Sequence, residues 1–328
     1  MGSLVLYSSV TGTSDIQAIS IDRDYGQPTA TAVVQATSTS LGLGDHITID
    51  IGYWGDHQQV FSGYVASIET ARSAEGLIYT IRARDTLWRA VSYFIASDDP
   101  EVTLKYSNIA AEDLVKEMLE LSGITSYSLD SPGFTFAPEE PYEVQVVSAW
   151  DVISRVCRLL AWHCYDDNGT VRFVDRKPYN VAGDTSSYTF TTGDSGQIVS
   201  VQPHSESSDK IRNRVVVYGA KGIHATASAN SPFLPSGFYK TEVIAAPDLI
   251  DTQQMADDIA SYNLDLLNRL EKGATLQVAG VPSVDCRDVV TVVEAESGLS
   301  GDWFVYSIRY DLADTFTQTL TLTQRQTS

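Results

Sequence analysis

Basic residues are scarce in this chain of 328 residues, which carries 22 Lys and Arg against 42 Asp and Glu, a formal net charge of −20. A protein that grips nucleic acid by neutralising phosphates needs the opposite balance, so the composition argues against specific nucleic-acid binding. Two interpretations of the acidity stay open at this point. It serves ordinary surface solubility, or it forms an acidic channel wall that repels DNA and lets it pass.

Long apolar runs are missing as well. No segment approaches the 18 residues that a membrane helix requires, so no membrane insertion by this chain is expected. The N-terminal stretch Met1–Ser8 has neither a basic region nor a long apolar region, and no secretory signal is predicted. Three cysteines cannot all pair within the chain, which disfavours a disulfide framework and is consistent with assembly in a reducing cytoplasm.

Motifs that carry catalysis are missing too: the sequence has no nucleophile elbow, no P-loop and no dinucleotide fingerprint. His163 and Cys164 are neighbours, so in a strand they point to opposite faces and cannot chelate together. The carboxylate pairs Asp98-Asp99 and Glu139-Glu140 are adjacent residues in Pro-flanked loops, whereas sugar cleavage needs two carboxyls opposed across a cleft. The sequence therefore predicts no catalytic residue, no metal site and no cofactor.

What the chain does contain is a β-rich pattern that occurs twice. Asp45–Ile51 is followed by a loop and by Phe61–Val65, and Asp288–Val293 is followed by a loop and by Phe304–Ile308. The distance from the leading Asp to the Phe is 16 residues in both copies, and a further alternating strand follows each. We interpret the two copies as similar antiparallel β-barrels at the two ends of the chain.

Between the two copies the pattern changes to helices mixed with short strands. The expected fold class is therefore mainly β, with two similar barrels flanking a smaller α+β domain. The predicted boundaries are a first barrel over residues 1–92, an α+β insert over 93–185, and a second barrel over 186–328. The second barrel carries a helix at about 251–270, where apolar residues recur at helical spacing.

Local signals add detail inside this frame. A helix is predicted from about Asn108 to Gly123, and a second one from Ser148, which forms a capping-box variant with Asp151. The run Asp166–Gly169 predicts a hairpin turn rather than a calcium loop, because the alternate ligand spacing and terminal Glu are missing. Residues Lys221–Gly237 are rich in Ala, Ser, Asn and Pro and predict an extended loop.

Large apolar groups on loops are the candidate contact residues. Tyr53 and Trp54 lie at a predicted hairpin tip, and Phe233 and Phe238 lie in the long loop. Such groups mark partner contacts when no core lies beneath them, and packing under a neighbouring loop is the alternative.

Several motifs together resemble a known family, the phage tail baseplate hub proteins of the late control protein D and type VI secretion spike-head group. The order of these motifs along the chain matches the order in the family. The segments that carry the resemblance are Val60–Val65, Tyr79–Ala90, Ile109–Leu114, Gly123-Ile124, Ser148–Ile153, Val171–Asp175 and Arg212–Gly219.

The resemblance implies a structural protein and no enzyme. It implies a homotrimer whose two tail-tube-type barrels per subunit form a pseudo-sixfold ring, joining a sixfold tail tube to a threefold central spike. The implied partners are a separate tail spike protein and the tail tube or distal tail protein, with the tape measure protein and the baseplate wedge as further candidates. The implied location is the virion tail baseplate, after assembly in the host cytoplasm.

Two alternatives from other classes remain at this stage. A β-rich carbohydrate-binding or carbohydrate-cleaving tail protein would show an aromatic-lined cleft with opposed carboxylates. A tail-tip adhesin would need exposed loops at one end, for which Lys221–Gly237 is the candidate.

Overall fold

The computed structural model describes residues 5–73, 76–96, 103–138, 140–176, 184–193, 196–202, 205–294 and 296–327. Strand residues far outnumber helical ones among them, so the mainly β fold class is confirmed. Thirteen of the described strands belong to one large sheet, and the helices lie apart from it with several short strands.

The first β unit contains six strands. Their order in the sheet is β1-β4-β5-β6-β3-β2, and β1 also pairs with β2 through Val10 and Thr13, so the pairing path returns to its start. The strands alternate buried and exposed side chains, which places one face of each against the core. Their bounds are β1 Leu6–Val10, β2 Thr13–Asp24, β3 Thr31–Thr39, β4 His46–Tyr53, β5 Asp56–Ser73 and β6 Gly76–Asp85.

The central segment is built from short strands around two main helices. Ser148 begins the longer helix as predicted, because its Oγ accepts the Asp151 amide hydrogen at 3.0 Å while the Asp151 carboxylate accepts that of Ser148 at 2.8 Å. Asn168 and Gly169 both have positive φ, as a tight two-residue hairpin turn requires. The bounds are α1 Trp88–Ser92, β7 Phe94–Ile95, β8 Leu104–Tyr106, β9 Ile109–Ala110, α2 Ala111–Leu121, β10 Tyr127–Leu129, β11 Thr135–Phe136, β12 Tyr142–Val144, β13 Val147–Ser148, α3 Ala149–Leu160, β14 His163–Asp167 and β15 Thr170–Val174.

The last segment contains the second β unit, which we define as β16, β17, β18 and β22 to β25. The bounds are β16 Tyr188–Thr191, β17 Ile198–Val201, β18 Ser205–Ser207, β19 Arg214–Tyr218, a 3₁₀ turn Ala220–Gly222, β20 His224–Ser228, β21 Thr241–Ala245, α4 Gln253–Leu267, β22 Arg269–Ala279, β23 Val289–Val293, β24 Gly301–Leu312 and β25 Phe316–Thr327. The predicted extended loop is therefore wrong in part, since it contains β20. The predicted helix is observed, and its last expected residues belong to β22 instead.

The second β unit repeats the strand order of the first. The order β4-β5-β6-β3-β2 in the first unit corresponds to β23-β24-β25-β22-β17 in the second, with the same sequence of strands along the chain. Both units also carry a β-bulge at matching places. The β5–β6 register shifts between Val65 and Ser67, and the β24–β25 register shifts between Val305 and Ser307.

The equal spacing found in the sequence does not reflect this correspondence. The Val65 amide donates to the Asp45 carbonyl at 2.9 Å, and the Val305 amide donates to the Asp288 carbonyl at 2.8 Å. Val65 therefore corresponds to Val305, and the second hairpin is three residues shorter than the first. The two phenylalanines of the sequence pattern, Phe61 and Phe304, do not occupy matching positions.

The two units are joined in one continuous sheet. Residues 19–24 of β2 pair antiparallel with residues 307–312 of β24, from Ile19 opposite Leu312 to Asp24 opposite Ser307. Their buried side chains form one hydrophobic cluster that contains Phe61 and Tyr310. Continuous pairing and a shared core fix the two units relative to each other.

A second hydrophobic cluster unites the central segment with part of the last one. The sheet β20-β19-β21 and α4 contribute Val215, Ile244 and Ile259 to the core that also holds α2 and α3. The buried Asn263 donates to the Leu159 carbonyl at 3.0 Å, which ties α4 to the end of α3. The stretch between β18 and β22 therefore packs with the central segment and away from the core of the second β unit. The division into three separate domains stays a prediction.

Candidate interaction surfaces

The tip of the β4–β5 hairpin presents an aromatic cluster. Trp54 is 77% exposed, and its amide donates to the Val5 carbonyl at 2.8 Å, which holds the tip against the first residues described. The Tyr7 ring lies 5.9 Å from Trp54 edge-on and stacks on His57 at 3.8 Å. Tyr53 points elsewhere, with its ring 5.9 Å from Phe316 of the second unit. The structure thus exposes Trp54 and uses Tyr53 for packing.

The second predicted contact region lies before β21. Phe238 is 52% exposed and Phe233 is half-buried. The buried Asn213 fixes this region, because its Nδ2 donates to the Phe238 carbonyl at 3.0 Å and its Oδ1 accepts the Lys240 amide hydrogen at 2.8 Å. Tyr239, which the sequence analysis did not single out, is exposed beside Phe238.

A buried polar junction joins the first unit, the central hairpin and the second unit. We define it by Arg23, Asp85, Asp166, Asn168 and Asp285. The Arg23 guanidinium is 4% exposed and forms an ion pair with Asp285. Its other amino group donates to the Asn168 Oδ1 at 3.1 Å and to the Asp166 carbonyl at 3.4 Å. One arginine therefore contacts β14–β15 of the central segment and the approach to β23 at once.

Two buried carboxylates complete the junction. The Asp85 Oδ2 accepts the Ala30 amide hydrogen at 2.5 Å, and the Asp166 Oδ2 accepts that of Thr86 at 3.1 Å. Burial, reinforced by the neighbouring Asp166, raises the pKa of Asp85 to about 7, although the Ala30 hydrogen bond and Arg23 oppose the rise. Burial also raises the pKa of Asp166, against its hydrogen bonds to Gly169 and Thr86.

An aromatic and cationic stack lies beside this junction. The rings of Tyr25 and His163 stack at 4.1 Å, and the Arg287 guanidinium lies 4.1 Å above the Tyr165 ring. Arg287 Nε donates to His163 Nε2 at 3.0 Å, so this histidine nitrogen acts as an acceptor. Burial, reinforced by Arg287, lowers the pKa of His163 well below its usual value, so the ring is neutral at pH 7. Tyr25, His163 and Arg287 thus link all three parts of the chain.

The charged groups of the buried polar junction form an ion pair and hydrogen bonds with one another and with the backbone. Four surface cavities of about 230 to 260 Å³ among the described residues have linings that include neither Asp85 nor Asp166. Within the described ranges, no group of three or more His, Cys, Asp or Glu side chains is placed to hold a metal ion. Asp98, Asp99 and Glu139, named in the sequence analysis, lie outside the described residues.

The junction residues were missed by sequence reasoning. Arg23 and Asp285 are 262 positions apart, and no local pattern marks a buried ion pair at that separation. The hairpin turn at Asn168-Gly169 was found, and its role as a docking point for Arg23 was not. The signal available in the sequence was a charged residue on an otherwise alternating strand, which also describes many surface positions.

Comparison with known proteins identifies solved structures that share this fold. No protein-family model and no curated protein matches the sequence. Among solved structures, the chain is similar to a tail protein from Neisseria meningitidis MC58, with a TM-score of 0.70, 14% identity and 98% and 97% of the two chains covered. It is also similar to the 43 kDa tail protein of prophage MuSo2 from Shewanella oneidensis, with a TM-score of 0.68, 15% identity and 98% of each chain covered. The fold is that of a phage tail protein.

A third similarity extends this tail-protein fold to secretion systems. An E. coli component of the type VI secretion system, itself structurally similar to the T4 tail proteins gp27 and gp5, matches with a TM-score of 0.58 and 10% identity. The match covers 98% of this chain and 77% of that protein. The resemblance to baseplate hub proteins is therefore confirmed at the level of the fold. None of the described helices is long and apolar enough to cross a membrane.

Proposed function

We propose that this chain is a structural hub of a phage tail baseplate, or of a related phage-like particle, and that it acts without catalysis. Three copies form an adaptor between the sixfold tail tube and the threefold central spike. The observation that carries the proposal is the repeated strand order, with its matching bulges, in two β units of one chain. Three copies of a chain with two similar units supply six similar units around a closed ring.

In this proposal each β unit is a tail-tube-type barrel. The first unit belongs to the barrel predicted over residues 1–92, and its cyclic pairing path supports that assignment. The second belongs to the barrel predicted over 186–328. The insert over 93–185, extended by β19 to β21 and α4, forms one body between the barrels because these elements share a core.

The hairpin tips of the two β units differ, so a threefold spike can contact one kind of tip while a sixfold tail tube contacts the features that both units share. The β4–β5 tip exposes Trp54, and the corresponding β23–β24 tip exposes the acidic Glu296, while the buried Glu294 carboxylate accepts the amide hydrogens of Glu296 and Ser297. In a ring of six, aromatic and acidic tips alternate. We propose that the Trp54 tips contact the spike, and that the exposed Phe238, near Phe233, is a second contact with a neighbouring baseplate component.

The expected partners follow from this position. They are a second and third copy of this chain, a separate spike protein, and the tail tube or distal tail protein, with tape measure and wedge proteins beside them. The expected location is the virion tail baseplate, after assembly in the host cytoplasm. The net charge of −20 supports passage of DNA without adhesion if the ring has an open lumen.

Mass measurement in solution tests the proposal. Multi-angle light scattering and native mass spectrometry at micromolar concentration are expected to give three times the 35.8 kDa chain mass. Averaged electron-microscope images are expected to show rings with six similar lobes. A stable monomer up to about 100 μM, alone and with the cognate spike, would overturn it. A glycan screen that returned binding or cleavage would favour the carbohydrate alternative.

A further inference from the structure

The pairing that joins the two β units inside one chain offers a template for joining different chains. In this internal junction, residues 19–24 of β2 use one edge for β3 and the other edge for residues 307–312 of β24. Each β unit contains a strand matching β2 and a strand matching β24. The chain therefore contains one more strand of each kind than the internal junction uses.

The two remaining strands each have an open edge. In β5, residues 67–73 pair with β6 alone among the described residues, whereas the matching part of β24 pairs with both β25 and β2. In the second unit, β17 and β18 pair with β22 alone among the described residues. A row of unpaired backbone donors and acceptors on a strand edge readily pairs with another chain.

The internal repeat gives the residue correspondence. Ser67 and Ser307 follow matching bulges, so residues 67–72 of β5 correspond to residues 307–312 of β24. The strands β17 and β2 can be matched in the same way. Val201 of β17 lies opposite Leu276, and Ile19 of β2 lies opposite Val34. Each pair follows a register shift, so Val201 corresponds to Ile19.

The correspondence continues through β18. Ser205 lies opposite Gly273 as Asp22 lies opposite Thr31. One extra residue therefore separates Val201 from Ser205, relative to β2. Ser207 corresponds to Asp24 by the same count.

We propose that β17 and β18 of one copy pair antiparallel with β5 of the next copy, and this proposal rests on the trimer of the proposed function. The internal junction then sets the register. Ser207 lies opposite Ser67 of the next copy, Ser205 lies opposite Glu69, and Val201 lies opposite Arg72.

Charge and symmetry are compatible with this register. In the internal junction Arg309 lies opposite Asp22, with their side chains 3.8 Å apart. Like charges directly opposite each other destabilise a strand pair, and the proposed junction places none in that position. Each copy offers one strand of each kind, so the contact is heterologous and closes into a ring when the rotation between copies is one third of a turn.

Cysteine cross-linking tests the register with an internal control. The variant Asp24→Cys, Ser307→Cys is expected to form a disulfide within one chain, because paired residues on neighbouring strands lie 4.5 to 5.5 Å apart. The variant Ser67→Cys, Ser207→Cys places the corresponding pair between chains and is expected to give covalent dimers and trimers on denaturing gels. The wild type, with its three native cysteines, and the off-register variant Ser67→Cys, Ser205→Cys are expected to give at least tenfold less.

Hydrogen exchange supplies a second readout that needs no substitution. Amides of residues 67–72 on the open edge are expected to exchange at least tenfold more slowly in the trimer than in the monomer obtained by dilution. If the protein is trimeric but the interchain disulfide and the protection are both missing, the strand junction is wrong and the proposed function stands. If the protein is monomeric throughout, the proposed function fails first. Preferential cross-linking of the off-register pair would also overturn the assigned register.

Discussion

The two β units share a strand order but differ in how their first strand is placed. In the first unit β1 runs antiparallel to β4 and turns directly into β2. In the second unit β16 runs parallel to β23, so it cannot form the same tight turn into β17. Among the described residues, the pairing path of the first unit therefore returns to its first strand, whereas the path of the second does not and leaves β17 and β18 open beside a long inserted stretch.

The units also fill matching positions with different residues. Phe61 of the first unit corresponds to Gly301 of the second, and Gly63 corresponds to Trp303. Phe61 and Trp303 are both buried, two residues apart along matching strands, and therefore on the same face. Each unit places one large ring on this face. The ring occupies the first of the two positions in the first unit and the second in the second unit, and a glycine occupies the other position in each. The comparison teaches that strand order and bulges persist where side-chain order does not.

The largest expected effect comes from removing these two rings. Phe61→Ala and Trp303→Ala are each expected to lower the free energy of unfolding by about 3 to 5 kcal/mol, because each leaves a cavity in the shared core. Denaturant unfolding followed by fluorescence and circular dichroism measures the change. The exposed Val243→Ala, outside the shared core and the proposed strand junction, is the control, with an expected change within about 0.5 kcal/mol.

The same measurement asks whether the units are independent. Since they share one core and one sheet, both variants are expected to unfold in a single transition at a shifted midpoint. A variant that loses one of two separate transitions would show that the units fold independently, against the continuous β2–β24 pairing.

The next effect is the pH dependence contributed by Asp85. Its pKa is about 7 in the folded protein and near 4 in an unfolded chain, so the folded state binds an extra proton between these values. This group's contribution to stability therefore falls as pH rises from about 4 to about 7, by about 2 to 4 kcal/mol in total. Unfolding of Asp85→Asn across this window is expected to lack that fall.

A matched control separates this effect from the general acidity of the chain. Asp209→Asn changes an exposed carboxylate that is not part of the junction and is expected to leave the pH profile as in the wild type. If Asp85→Asn and the wild type show parallel profiles between pH 4 and 8, the assignment of a protonated Asp85 is wrong.

These residues show how far sequence reasoning extends. The capping box at Ser148 and the turn at Asn168-Gly169 were predictable, because both depend on residues within three positions of each other. The mainly β class followed from alternating strands. The junction at Arg23 was not predictable, because it depends on three distant segments meeting. The sequence comparison paired Phe61 with Phe304 because both are large residues at equal spacing from an Asp. The structural correspondence of the two strands depends instead on the positions of the bulges and on the lengths of the hairpins.

A smaller loss of stability is expected when alanine replaces the glycines Gly63 and Gly301, which lie at the positions matching the two large rings. A Cβ at Gly63 would clash with the backbone carbonyl of Arg84 on β6, so Gly63→Ala is expected to lower the free energy of unfolding by about 1 to 3 kcal/mol. At Gly301 there is room for a Cβ, but φ is +124°, so Gly301→Ala is expected to cost about 1 kcal/mol through backbone strain alone. Equal costs in thermal unfolding would contradict the difference in space.

The smallest effect on stability, and the most specific one on binding, is expected at the hairpin tips. Trp54 makes an edge contact with Tyr7 and is otherwise solvent-exposed, so Trp54→Ala is expected to change stability by less than about 0.5 kcal/mol. Trimer formation should persist, because the proposed strand junction lies elsewhere on β5. Co-sedimentation with the cognate spike should fall at least tenfold, since a large exposed aromatic side chain supplies much of a contact's energy. Glu296→Ala at the matching tip of the second unit is the control and should leave spike binding unchanged. If both variants weaken spike binding equally, the spike contacts all six tips alike, and the threefold partner is distinguished by the inserted helices instead.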